Sequence, residues 1–180
     1  MYRHYLGPNY YSFTWGGVRF VGLDTVDIDD QWYYGHIDAA QLEWLRRDLA
    51  GVAAGSTVVT FNHIPLVSAV EMIEGYRADP PAPTLITIGG KTQFRHVVSN
   101  TGDVLGRIKG HPFPLALGGH VHARETLRYE ADGVSTRFEQ AAAIVAPGDA
   151  GAFRMRSGVT LYRVENGTID AGTFLPLDDR

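Results

Sequence analysis

Two histidines one residue apart, His120 and His122, follow a short apolar run (Leu115, Ala116, Leu117) that stops at Gly118–Gly119. A buried strand that ends in a glycine turn sets the next side chains outside its carboxyl end, where open α/β sheets bind ligands. Neutral imidazole is the commonest metal ligand among side chains, and a backbone turning tightly beside an ion leaves little room for Cβ atoms, which suits the two glycines. By itself His-x-His more often marks two surface-loop histidines than a ligand set. A second segment of the same design changes that balance. In Thr57–Leu66, TVVTFNHIPL, a β-branched run ends at His63, and Pro65 stops the ladder from continuing. Two strand-end histidine sites separated by a helix-length crossover suggest neighbouring parallel strands facing one crevice.

The elements that must carry these histidines are legible on either side of them. Tyr10–Trp15 and Val18–Leu23 read as two strands around Gly16–Gly17, a pair suited to the primed turns of a hairpin. Asp24 ends the second strand. Asp38–Ala50 reads as a helix: Asp38 is the N-cap with Gln41 three residues on, Leu42, Leu45 and Leu49 form one apolar face, and Gly51 closes it. Between the histidine strands, DPPAPT breaks regular structure. Phe94, Val97 and Val98 then suggest a short helix with His96 on its solvent face, and Val104–Lys109 a second. Beyond His122, Glu125–Glu130 and Ser135–Gln140 read as a hairpin. So do Gly158–Glu165 and Thr168–Phe174, which flank Asn166–Gly167.

Other chemistry-capable residues carry less. The acidic stretch Val26–Tyr34 has Asp27, Asp29 and Asp30 but lacks the glycine and distant glutamate of a calcium loop, so it reads as a solvated loop. His36 reads as a loop histidine and His111 as a turn residue. Arg95, Arg107 and Lys109 could meet a phosphate, though such charges are usually only solvated. The chain has 180 residues, the length of one domain, and a net charge of −4, which offers no broad basic face to nucleic acid or anionic lipid. It has no cysteine, which excludes thiolate metal sites and leaves His, Asp, Asn and Glu as ligands. No run approaches the ~20 apolar residues of a membrane span. The first residues lack a basic-then-apolar signal pattern, and nothing in the sequence fixes a compartment.

Four stretches in order resemble the C-terminal half of the calcineurin-like metallophosphoesterases, the superfamily that includes the purple acid phosphatases. They are YYSFTWGGVRFVGLDT (Tyr10–Thr25), QLEWLRRDLA (Gln41–Ala50), FNHIPL at His63, and GGHVHA (Gly118–Ala123). The last, the family's Gly-His-x-His, is the most specific. The resemblance implies an α/β fold, part of a four-layer αββα sandwich of mixed sheets with flanking helices. It implies a metal-dependent hydrolase of phosphate mono- or diesters with a dinuclear centre of iron, manganese or zinc. In it His63 and His120 bind one metal and His122 the other. The backbone after Gly118–Gly119 orients them, and Asp24 supports the fold beside the site.

The family's earlier motifs are Asp-x-His, then Gly-Asp with the bridging aspartate, then Gly-Asn-His with the proton donor. They have no counterpart in the right order: no Asp-x-His occurs, and Gly102–Asp103 and Gly148–Asp149 lie downstream. The expectation is therefore a single domain, residues 1–180, lacking its N-terminal half, with no catalytic residue of its own and at most one weakly bound metal. The alternative is a catalytically inactive half-domain acting as a metal-binding or partner-completed module. An incomplete sandwich also predicts an unpaired edge on the strand ending at His63 or on the one ending at His120. A homodimer, or pairing with another chain, would cover that edge.

Overall fold

The computed structural model describes residues 4–5, 7–79, 82–131, 133–144, 149–150, 153–154 and 156–177. The protein is of mixed α/β type, built on one six-stranded mixed sheet with few helices. The first two strands, β1 (Tyr11–Trp15) and β2 (Val18–Leu23), form the expected hairpin, with both turn glycines at positive φ. Next comes a second hairpin, β3 (Val26–Asp29) and β4 (Trp32–Gly35). This corrects the loop expected at Val26–Tyr34: Asp30, at φ 51°, makes the left-handed turn that short polar side chains tolerate. Helix α1 (Ala39–Ala50) starts where Asp38 accepts a 2.7 Å hydrogen bond from the Gln41 amide, and Gly51 caps its end.

Strand β5 (Val58–Asn62) follows, then the short helix α2 (Val70–Glu74). A third hairpin, β6 (Leu85–Ile88) and β7 (Lys91–Phe94), turns through Gly89–Gly90. Helix α3 (Thr101–Ile108) matches the second helix expected in this region, and β8 is Leu115–Gly118. The helix expected around Phe94–Val98 is absent. Phe94 ends β7, and the chain bends through Arg95–Val97 before Val98 bridges to Gly35. Strands β9 (Glu125–Ala131) and β10 (Val134–Gln140) pair antiparallel as expected. The remaining strands are β11 (Asp149–Ala150), β12 (Phe153–Arg154), β13 (Gly158–Leu161), β14 (Val164–Glu165), β15 (Thr168–Ile169) and β16 (Thr173–Pro176). The hairpin expected around Asn166–Gly167 forms in two pieces, β14–β15 at its tip and β13–β16 at its base.

The order of the main sheet is β1-β2-β5-β8-β10-β9. Its four inner strands run parallel, and each edge strand is the antiparallel arm of a hairpin. The strands ending at His63 and His120 therefore each have neighbours on both sides. This corrects the expectation of an unpaired edge at either one: hairpin arms close the parallel core, so the edges fall on β1 and β9. Side chains alternate between two cores, as strand geometry requires. Val21, Leu23, Val58, Ala116 and Phe138 meet Leu42, Leu45 and Leu49 of α1 and Val104 and Ile108 of α3. On the other face, Val18, Val59 and Leu115 are covered by Tyr162, Val164 and Ile169. Toward β1 this cover ends, and Tyr11, Phe13 and Trp15 are exposed. Among the described residues, no helix is long and apolar enough to cross a membrane.

Candidate metal centre

The carboxyl ends of β5 and β8 are adjacent, because the two strands pair in parallel from Val59↔Leu115 to Phe61↔Leu117. Beyond them the chain is held by backbone bonds. The Gly119 amide donates to the His63 carbonyl at 2.9 Å, and the Ile64 amide donates to the buried Thr25 hydroxyl at 2.9 Å. These bonds aim both histidines into one crevice. His120 Nδ1 lies 3.1 Å from His63 Nε2, with the rings edge to face. His63 also borders an open depression of about 270 Å³ whose walls include Asn9, Tyr11, Phe61 and Asn62.

The turn carrying His120 is strained. The Val121 amide donates to the Gly119 carbonyl at 2.8 Å across His120, whose φ is 71°. A two-residue hydrogen bond closed over a residue at that φ is the rarer and more strained γ-turn. His122 is also left-handed, at φ 60°. The glycine argument from sequence holds at one position only. A Cβ on Gly118 would meet Pro65 and Gln140 at 2.7–3.0 Å, whereas one on Gly119 would find ordinary contact at 3.7 Å. The strained positions are the histidines themselves. Backbone strain of this kind gathers at functional sites.

Of the three expected ligands, the structure brings His63 and His120 together. His122 is exposed, and among the described residues no hydrogen bond or ring contact joins its side chain to the other two. It still acts on His120 electrostatically. Burial, reinforced by His96, His63, His122 and Arg95, lowers the His120 pKa to about 4. His120 is thus a neutral imidazole at pH 7, the form a metal requires. With metal–nitrogen distances of ~2.1 Å, nitrogens 3.1 Å apart subtend about 95° at an ion, an acceptable angle between neighbouring ligands. His120 Nε2 is buried without a hydrogen-bond partner. The 3.1 Å separation of His63 Nε2 and His120 Nδ1, not the buried His120 Nε2, lets the pair take two positions of one ion. Among the described residues, no group of three or more His, Cys, Asp or Glu side chains is gathered to hold a metal.

Three further residues stand in this crevice. Tyr33, from β4, packs edge-on to His120 at 5.4 Å between ring centroids. His96 packs edge-on to the same ring at 5.1 Å, which replaces the solvent-facing helix position expected for it. Behind His96 lies Glu71 of α2, only 3% exposed, with Oε1 3.7 Å from His96 Nδ1, the His96 backbone as a hydrogen-bonding influence on the carboxyl and no side-chain hydrogen bond to it. Burial raises its pKa to about 7, against the pull of Arg77 and Arg95. Burial also lowers the His96 pKa, and Arg95 and Arg77 lower it further. Charge patterning could not reveal this cluster, because its members lie in three separate segments.

The other sequence candidates have structural roles. Arg95 stacks over Tyr33 and Trp32 and donates to the Tyr33 and Pro83 carbonyls, so its guanidinium is committed to the scaffold. Asp24 accepts from Asn9 and receives Gln41 against its backbone, beside the site rather than in it. His36 pairs with Asp27 at 3.2 Å, and His111 Nδ1 lies 3.3 Å from the Ser56 carbonyl. Gly148, of the second Gly-Asp pair, lies outside the described residues. No protein-family model matches this chain, and comparison with curated proteins finds no match.

Proposed function

We propose that this chain is the histidine-bearing part of a metal-dependent phosphoesterase of the calcineurin-like class. In this reading the mixed sheet is one portion of an αββα sandwich, and His63, His120 and His122 are metal ligands. The observation that carries the reading is the 3.1 Å approach of His63 Nε2 and His120 Nδ1 at the ends of adjacent parallel strands. A bound metal pair would supply charge neutralisation of the phosphoryl group and activation of water. The chain's own residues do the positioning. The Gly119 amide and the Thr25 hydroxyl fix the two turns, and burial keeps His120 neutral and ready to ligate. The bridging carboxylate and the proton donor belong, in the resemblance, to motifs this sequence does not match.

A second reading is an inactive half-domain that binds metal or is completed by a partner. It is favoured by the absence, among the described residues, of any gathered set of three ligands. Hydrolysis of an aryl phosphate with added manganese or zinc separates the two. The chain alone is expected to turn over substrate no faster than the metal in buffer, because two-metal catalysis needs a carboxylate to hold the ions at their working distance. Restoring a segment with the family's earlier motifs is expected to bring activity that His120→Ala removes. Turnover by the chain alone, lost in His122→Ala, would show that it is a complete minimal enzyme. A lengthened chain without activity would favour the second reading.

A further inference from the structure

Glu71 poses a question the metal reading leaves unanswered. An ionisable carboxyl buried to 3% exposure, with the His96 backbone as its one hydrogen-bonding influence and no side-chain hydrogen bond, is costly, and such a group calls for an explanation. Its nearest titratable neighbour is His96, whose Nδ1 is at ion-pair distance but beyond a hydrogen bond. On the other side of the ring, His96 Nε2 lies 3.5 Å from the Tyr33 hydroxyl. That is also too long for a good O–H···N bond. Tyr33 and His96 lie with near-parallel rings, 17° apart, so both polar tips stand side by side. Two tips 3.5 Å apart can share one acceptor oxygen at about 2.8–3.0 Å from each. The His96 side chain is 28% exposed, so the crevice reaches it. Two cations, Arg95 and Arg77, bear on His96, a setting that favours an anion there.

We propose that the Tyr33 hydroxyl and His96 Nε2 form an oxyanion-binding pair beside His63 and His120, with buried Glu71 holding His96 in position from behind, and that the ligand is the tetrahedral phosphoryl group of a phosphate or phosphate ester. Glu71 faces the Nδ1 edge, and with the carboxyl protonated Nδ1 is the accepting nitrogen, so the ring proton sits on Nε2 and is donated outward. Arg95, stacked on Tyr33 and bound to its carbonyl, fixes the second donor. The proposal deepens the phosphoesterase reading by assigning where the phosphoryl oxygen is held.

The test is calorimetric titration of the full chain with inorganic phosphate and, separately, with phenyl phosphate, each with and without manganese. Binding of both ligands identifies the shared phosphoryl group as the determinant. Binding of inorganic phosphate alone narrows the ligand to the free ion. Tyr33→Phe, which removes one hydroxyl and keeps the ring, is expected to weaken phosphate binding about tenfold, as is His96→Ala. Glu71→Ala is expected to weaken it as well, and Glu71→Gln to restore most of the loss, which a merely space-filling role would not predict in binding. Manganese affinity is expected to be unchanged in Tyr33→Phe and lost in His120→Ala. Wild-type affinity for phosphate in both Tyr33→Phe and His96→Ala, or no phosphate binding by the wild type, overturns the proposal. Equal affinities in Glu71→Ala and Glu71→Gln overturn the positioning role of Glu71. Failure to bind manganese while phosphate binding still depends on Tyr33 and His96 would refute the metal reading and leave the anion site standing.

Discussion

Replacing Glu71 by glutamine removes a titratable group and keeps its shape. In the folded chain the Glu71 pKa is raised from its ordinary 4.5 to about 7, chiefly by burial. Between those values the native state holds a proton that the unfolded chain has released. Unfolding therefore releases protons, and stability falls as pH rises. The contribution is fully present below 4.5 and lost by the time pH has passed about 7. Read in full, the shift corresponds to roughly 3 kcal/mol; with relaxation around a buried group, about 2 kcal/mol is expected. His120 acts in the opposite sense. Its pKa falls from 6.5 to about 4, so its contribution is present above 6.5 and lost as pH drops toward 4. Over pH 4.5–6.5 these two slopes oppose each other, and His96, whose pKa is also lowered, adds to the His120 side. Urea unfolding at half-unit steps from pH 4.5 to 8 resolves them. The stability of Glu71→Gln minus that of the wild type should grow by about 2 kcal/mol between pH 4.5 and 7 and then level off. Parallel stability curves for the two proteins would refute the argument, for they would mean that Glu71 titrates alike in the folded and unfolded chains.

Gly35→Ala should destabilise the chain by on the order of 3 kcal/mol or more, because its Cβ would lie 2.1 Å from the Val97 carbonyl oxygen, a backbone atom that cannot swing aside; an unchanged urea midpoint would count against the packing described. His122→Gly should raise metal-free stability by up to about 1 kcal/mol by relieving a left-handed non-glycine residue, read as a shift in thermal midpoint. Elemental analysis after dialysis should find at most one weakly held metal ion per chain, lost in His63→Ala and in His120→Ala; two firmly held ions would contradict the two-ligand geometry.

Local chemistry determined much of the fold. The Gly16–Gly17 turn, the Asp38 cap with its leucine face, and the strand ends at His63 and His120 are each written in adjacent residues, and each forms where the sequence placed it. The hairpin read from Glu125–Glu130 and Ser135–Gln140, and Asn166–Gly167 between β14 and β15, acted the same way. The approach of His63 and His120 was readable because two similar strand ends with a crossover between them make neighbours in a parallel sheet. Tertiary structure alone decided the rest. Strand order gave β5 and β8 partners on both sides, since the hairpins β1–β2 and β9–β10 close the parallel core. The His96 segment bends instead of coiling because Arg95 bonds to the Tyr33 and Pro83 carbonyls and Val98 bridges to Gly35, partners distant in sequence. That bend sets His96 between Glu71, Tyr33 and His120, which come from a short helix, a strand and a turn. Periodicity reports the face a residue offers within its own element. Which elements share a crevice depends on long-range burial, and a single element's sequence does not carry that information.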